Sequence, residues 1–198
     1  VGRRGQFCEA DALAILEHVS WVRENFDLIH ASFPCQGYSR MSNCRPGLGD
    51  TYPKLIEPGL ELLRGTRLPF VIENVVSQET DRLLPGAITL CGTMFGRPMY
   101  RHRLFYAEGF SLTAPKRTLL DSFLPPNSRC GWSHPVKAAR AGHWEPGYYV
   151  SVSGHEKRGP VNTAMGIDWM AKRDHVAEAI PPVFTEYVMQ EFTNRKVR

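Results

Sequence analysis

No stretch of this chain approaches the ~18 consecutive apolar residues that a bilayer-spanning helix needs. The opening Val1-Gly2-Arg3-Arg4-Gly5 also lacks the hydrophobic core of a secretory leader. Membrane insertion and export are therefore not expected, and a cytoplasmic setting is. Cysteine is sparse: five residues, at 8, 35, 44, 91 and 130. An odd number at irregular spacing makes a poor disulfide framework and fits a reducing compartment. Charge of one sign is in short supply too, with 24 Lys and Arg against 20 Asp and Glu. A net charge of +4 permits a nucleic-acid partner without demanding one. Internal repeats and low-complexity tracts are absent, which argues against a solenoid or a long disordered tail.

What is present suits an ordinary globular protein. The 198 residues are 42% hydrophobic and 22% charged, enough for one main core with a small appendage. Gln6 to Ala10 reads as a short strand leading into Asp11. Leu13, Leu16, Val19 and Val22 recur at roughly helical spacing, predicting a helix over 12–25. Phe26 to Ser32 is a compact apolar run, a buried strand that stops before Pro34. Gly37 to Pro53 turns to Gly, Pro, Ser, Asn and Arg, the composition of a long loop. A helix over about 55–63 and a second buried strand, Leu68 to Val75, follow. Shorter strands are expected from Ile88 and from Arg103. Residues 110–164 read as a loop-rich insert, and Arg173 to Thr193 as a helix pair around Pro181-Pro182. Strand, helix, strand, loop, helix, strand is the rhythm of a parallel sheet with crossover helices.

Ligands of such sheets sit at the carboxyl ends of the strands, and two unusual tripeptides fall there: Pro34-Cys35-Gln36 and Glu73-Asn74-Val75. Cys35 follows a buried strand and a stiff proline, where a thiol can be held at the mouth of the sheet. A buried cysteine serving as a small hydrophobe is the alternative. Glu73 ends an apolar strand. A carboxyl group there is costly unless paired or protonated, which suits a proton donor or sharer. It equally suits a cap on the next helix. In the insert, Lys116, Arg117, Arg129 and Arg140 are interleaved with Trp132, Trp144, Tyr148 and Tyr149. That mixture suits phosphates and base edges, or a solvated face over a small aromatic core. Cys130, His134 and His143 match no tight zinc spacing, so no metal site is assigned.

Taken together these motifs resemble the cytosine carbon-5 DNA methyltransferases, in the compact style of short bacteriophage methylases. The family's catalytic loop carries Pro-Cys-Gln, and one strand later it carries Glu-Asn-Val. A third motif, Gln-x-Arg-x-Arg, is matched by Met99-Tyr100-Arg101-His102-Arg103 except at its first position. Asp11 looks like the acidic strand end that contacts the donor's adenine, and Ala179-Ile180-Pro181-Pro182 resembles the closing segment. The resemblance implies an α/β fold with a Rossmann-like methyltransferase sheet, incomplete at its N-terminus, and a small target-recognition insert. It divides the chain into a partial catalytic core over 1–109, the insert over 110–164 and C-terminal helices over 165–198.

The implied activity is methyl transfer from S-adenosyl-L-methionine to carbon 5 of a cytosine flipped out of double-stranded DNA. Cys35 would be the nucleophile, Glu73 its partner on ring nitrogen 3, and Arg101 and Arg103 the cations near the developing charge. Asp11, Pro34 and Asn74 would lie on the donor side, and Gln36, Ser39, Arg40 and Val75 on the substrate side. The setting would be the cytoplasm of a bacterium or a phage-infected cell.

Three departures from the family pattern stand out. The Phe-x-Gly-x-Gly turn that cradles the donor is not in the chain. By the family's layout about fifty residues, one strand–helix–strand unit, are expected ahead of Val1 or from a partner chain. Phe33 stands where a proline or small residue is common, and Met99 replaces the glutamine of the arginine motif. Two rival readings follow: the same chemistry with a modified methyl donor, and a catalytically silent DNA-binding descendant. A nucleotide-level enzyme of the thymidylate synthase type would need neither Glu73-Asn74-Val75 nor a basic insert.

Overall fold

The computed structural model describes residues 5–39, 51–116, 149–152 and 158–195. Residues 5–10 belong to no helix or strand, so the strand expected at Gln6 to Ala10 does not form. The alternation expected of a strand survives: Gln6, Cys8 and Ala10 all line a cavity beside the first strand of the sheet. What the segment lacks is a neighbour to bond with, and an unpaired strand is not a stable element.

Asp11 then starts helix α1 (Ala12–Glu17), its Oδ1 accepting from the N–H groups of Leu13 at 2.8 Å and Ala14 at 3.1 Å. The single helix predicted over 12–25 breaks at His18 into α1 and α2 (Val19–Asn25). Buried Leu16 and Val22 explain the break. Six residues apart, they would sit about 120° from alignment on one straight helix, and the interruption lets both face inward. Phe26 is taken up as the cap of α2, its ring edge-on to Trp21 at 5.5 Å. Strand β1 (Ile29–Ser32) is correspondingly shorter than the predicted run.

Helix α3 (Ile56–Thr66) carries the crossover to strand β2 (Phe70–Asn74), and α4 (Gln78–Leu83) leads to β3 (Ile88–Leu90). A 3₁₀ turn (Gly92–Phe95), strand β4 (Met99–Tyr100) and strand β5 (Arg103–Glu108) follow. The main sheet has the order β1-β2-β5-β3. Only β1 and β2 are parallel; β5 runs antiparallel to both its neighbours. The wholly parallel sheet expected from the sequence is thus a mixed one. The connections differ accordingly: β1 and β2 are joined through helix α3, whereas β3 and β5 are joined through the 3₁₀ turn and β4 with no helical crossover. Within the segment read as an insert, β6 (Val150–Ser151) pairs in parallel with β4. Helices α5 (Arg158–Met165), α6 (Arg173–Glu178) and α7 (Pro182–Arg195) complete the described chain, and the last two form the helix pair expected around Pro181-Pro182.

Alternation along the strands divides the core between two faces. Phe70 and Ile72 of β2 point to a cluster with Leu16, Phe33, Ile56 and Leu63, which α1 and α3 cover. Val71 points to the other, with Phe105, Met99, Val161, Phe184 and Val188, which α5 and α7 cover. Val150, Val152, Val161 and Ala164, from the segment read as an insert, are buried in that second cluster. Met99 is also fully buried there, and its carbonyl would lie 2.7 Å from a Cβ at Gly92. Where the family motif has a glutamine, this chain has a core side chain. No described helix is long and apolar enough to cross a membrane.

Candidate active site

Parallel pairing of β1 and β2 sets Ser32 beside Glu73, so both strands deliver their carboxyl ends to the same edge of the sheet. Cys35 lies three residues beyond that point and is half-buried. Four contacts fix its approach. Asn74 Nδ2 donates to the Phe33 carbonyl at 3.0 Å, joining the end of β2 to the start of the loop. The Tyr38 N–H donates to the Cys35 carbonyl at 3.0 Å and closes a turn. The Tyr38 hydroxyl, itself buried, accepts from the Ile56 N–H at 3.0 Å and ties the turn to the start of α3. The tip of the Phe33 ring abuts Gly59 of α3, where a Cβ would fall 2.6 Å from Cε1 and 2.9 Å from Cε2.

Glu73 is only 6% exposed, and Arg103 Nε lies 2.9 Å from its Oε1. Burial is the largest influence on this carboxyl group and pushes its pKa above the ordinary 4.5, against the pull of Arg103, a hydrogen bond from Ser32 and the charge of Arg101. Burial likewise lowers the pKa of Arg103, opposed by the charges of Glu73 and Cys35. Each partner is thus moved toward its neutral form. Desolvation outweighs mutual attraction here, as it often does for buried pairs. Arg103 thus feels the charges of both Glu73 and Cys35.

This pair predicts how stability follows pH. A carboxyl group whose folded-state pKa is raised contributes stability that is fully present below its ordinary value of 4.5 and is lost as pH rises through the raised value. Urea midpoints of the wild type should therefore fall with rising pH across that window, and Glu73→Gln should flatten this part of the profile. A wild-type curve that rises through the window would contradict the assignment.

The remaining sequence-predicted residues take varied places. Arg101 is buried, its guanidinium donating to the carbonyls of Val152 at 3.3 Å and Ala179 at 3.1 Å. It staples the C-terminal helices to the sheet and acts on Glu73 through its charge. Asn74 is 1% exposed; besides holding Phe33, its Oδ1 accepts from the Val75 N–H at 2.9 Å. Asn74→Ala leaves the Phe33 carbonyl without its donor and should cost about 1–3 kcal/mol in urea unfolding; no measurable loss would contradict this tie. Asp11 uses Oδ1 as a helix cap and is not among the residues lining the cavity beside β1. Pro34 and Gln36 are exposed, Ser39 is partly buried, and Val75 packs at the margin of the α3 cluster. Arg40, Arg45 and the residues Cys130, His134 and His143 lie outside the described residues, as does most of the basic and aromatic insert.

Sequence reasoning missed Ser32, Tyr38 and Gly59. A signal existed only for Gly59, which follows Pro58 inside an otherwise strong helical pattern, where glycine asks for a packing reason. Ser32 acquires meaning only through strand register.

The cavity beside β1 has a volume of about 520 Å³ and runs along the free edge of that strand. Its walls are largely apolar, with Ala12, Ile15, Leu16, Ile29, Ala31 and Phe33 among them. A nucleoside methyl donor would find a wall for its ring there, but no lining residue is a carboxylate that could accept from both ribose hydroxyls. The described residues therefore do not by themselves fit S-adenosyl-L-methionine.

No family model matches the chain, and no curated protein matches it. Among solved structures, that of the Entamoeba histolytica methyltransferase EhMeth is similar at 13% identity and a TM-score of 0.46, over 91% of this chain and 80% of that one. A likeness at this level identifies neither a family nor a substrate.

Proposed function

We propose that this chain is a DNA cytosine carbon-5 methyltransferase that acts on double-stranded DNA with S-adenosyl-L-methionine as the methyl donor. The observation that carries the reading is that β1 and β2 end side by side, with Glu73 paired to Arg103 at the end of β2 and Cys35 three residues beyond its register partner Ser32. Carbon 5 of cytosine is a weak nucleophile within its aromatic ring. A thiolate added at carbon 6 breaks the aromaticity and turns the ring into an enamine that is nucleophilic at carbon 5.

Cys35 supplies that sulfur. Glu73, with its pKa raised by burial, holds or protonates ring nitrogen 3 and so spreads the charge that builds during addition. Arg103 holds one oxygen of Glu73 in place. Loss of the carbon-5 proton then expels the sulfur by β-elimination. The ring must be reached face-on, so the target nucleotide leaves the stack. Because the described residues do not complete a holder for the donor, that part is assigned to a partner chain or a further segment.

The same shortfall favours one second reading, a DNA-binding protein without transferase activity. Incubation with labelled S-adenosyl-L-methionine and a cytosine-containing duplex separates the two. Label should appear as 5-methylcytosine by mass and vanish in Cys35→Ser. Duplex binding that survives Cys35→Ala, with no label transferred by the wild type, would overturn the transferase reading in favour of the second.

A further inference from the structure

Ser32 is the register partner of Glu73 and the last residue of β1. The two differ sharply in environment. Glu73 is 6% exposed, whereas Ser32 is exposed and lines the 520 Å³ cavity along the strand edge. The Ser32 hydroxyl nevertheless hydrogen-bonds the Glu73 carboxyl group. Arg103 is the other close partner, at 2.9 Å.

The two partners differ in what they can do when the proton on Glu73 changes. A guanidinium only donates, so Arg103 holds the carboxylate well and the carboxylic acid poorly. A hydroxyl donates and accepts. Towards the carboxylate, Ser32 Oγ–H donates. Once Glu73 carries a proton, its own O–H can donate to Ser32 Oγ, and the serine hydrogen turns toward the open cavity. No bond to carbon or oxygen is broken in this exchange; only the sense of one hydrogen bond reverses.

We propose that Ser32 is a positioning residue for Glu73, holding its carboxyl group in one place in both protonation states. The proposal rests on the reading of Glu73 as the group that shares a proton with the base. It adds a residue that none of the three sequence motifs contains.

The test uses the full chain labelled with ¹³C at glutamate carboxyls, with the Glu73 resonance assigned by its loss in Glu73→Gln. The charge-assisted bond to the carboxylate is the stronger of the two, so its loss in Ser32→Ala should raise the Glu73 titration midpoint. Ser32→Thr keeps the hydroxyl, and its extra methyl has room at an exposed position, so it should restore the wild-type midpoint. In parallel, adduct formation with a 5-fluorocytosine duplex should slow on the order of tenfold in Ser32→Ala and recover in Ser32→Thr. Duplex affinity should stay unchanged throughout. An unmoved midpoint, an unmoved adduct rate in an active protein, or a Ser32→Thr as impaired as Ser32→Ala overturns the proposal. If the wild type forms no adduct, the functional reading fails while the titration still decides whether Ser32 holds Glu73.

Discussion

Glu73→Gln should reduce single-turnover methyl transfer by about 10²–10⁴-fold while changing duplex affinity little, the range expected when a general acid is removed. The substitution is close to isosteric, so the strand end and the contact with Arg103 can persist through the amide oxygen. What disappears is the exchangeable proton and the negative charge that share the burden at ring nitrogen 3. The loss should therefore fall on kcat rather than on KM, the signature of an interaction made in the transition state. Arg103→Ala is a useful contrast. It strips the buried carboxyl group of its 2.9 Å partner, and breaking a buried pair in this way costs about 3–5 kcal/mol of stability. A Glu73→Gln protein with full transfer activity would remove Glu73 from the chemistry.

The second large effect is expected far from any titratable group. Gly59→Ala should destabilise the protein by about 1–3 kcal/mol, although alanine is the better helix former by about 1 kcal/mol in a helix interior. The sign is decided by space. Three ring atoms of Phe33 lie within 3.0 Å of where the new methyl would sit, closer than carbon atoms approach. Either α3 backs away or the Phe33 ring turns, and Phe33 is two residues from Cys35. Adduct formation should therefore fall by more than the stability loss explains. Phe33→Leu on the Gly59→Ala background should recover part of both losses, because the two positions share one volume and their effects are not additive. Strictly additive losses in the double variant would contradict the packing argument.

The same pair shows how much was legible beforehand. Compact apolar runs and a proline stop placed β1 and β2, and the two tripeptides at their ends could be read directly. Helical spacing with Pro181-Pro182 likewise placed the C-terminal helix pair. What escaped was whatever depends on a neighbour. The strand expected at Gln6 to Ala10 has the right alternation but no ladder. The helix over 12–25 breaks at His18 because Leu16 and Val22 must both reach the core. β5 runs antiparallel, since a single-strand pattern carries no direction. Phe33 looked like a departure from a motif, yet its matching glycine sits on another element. Ser32 and Tyr38 are ordinary residues in one dimension. They become part of the site only when register and a turn bring them to Glu73 and Cys35.

Cys35 as the atom that joins protein to base is tested most directly by trapping the bond. The chain is incubated with S-adenosyl-L-methionine and a duplex carrying 5-fluorocytosine, then denatured, digested and mass-mapped. Fluorine at carbon 5 cannot leave as a proton does, so a covalent peptide–nucleotide product should survive denaturation. It should map to the peptide containing Cys35 and be absent in Cys35→Ser. An active protein whose product forms unchanged in Cys35→Ser, or maps to a different cysteine, would contradict the account.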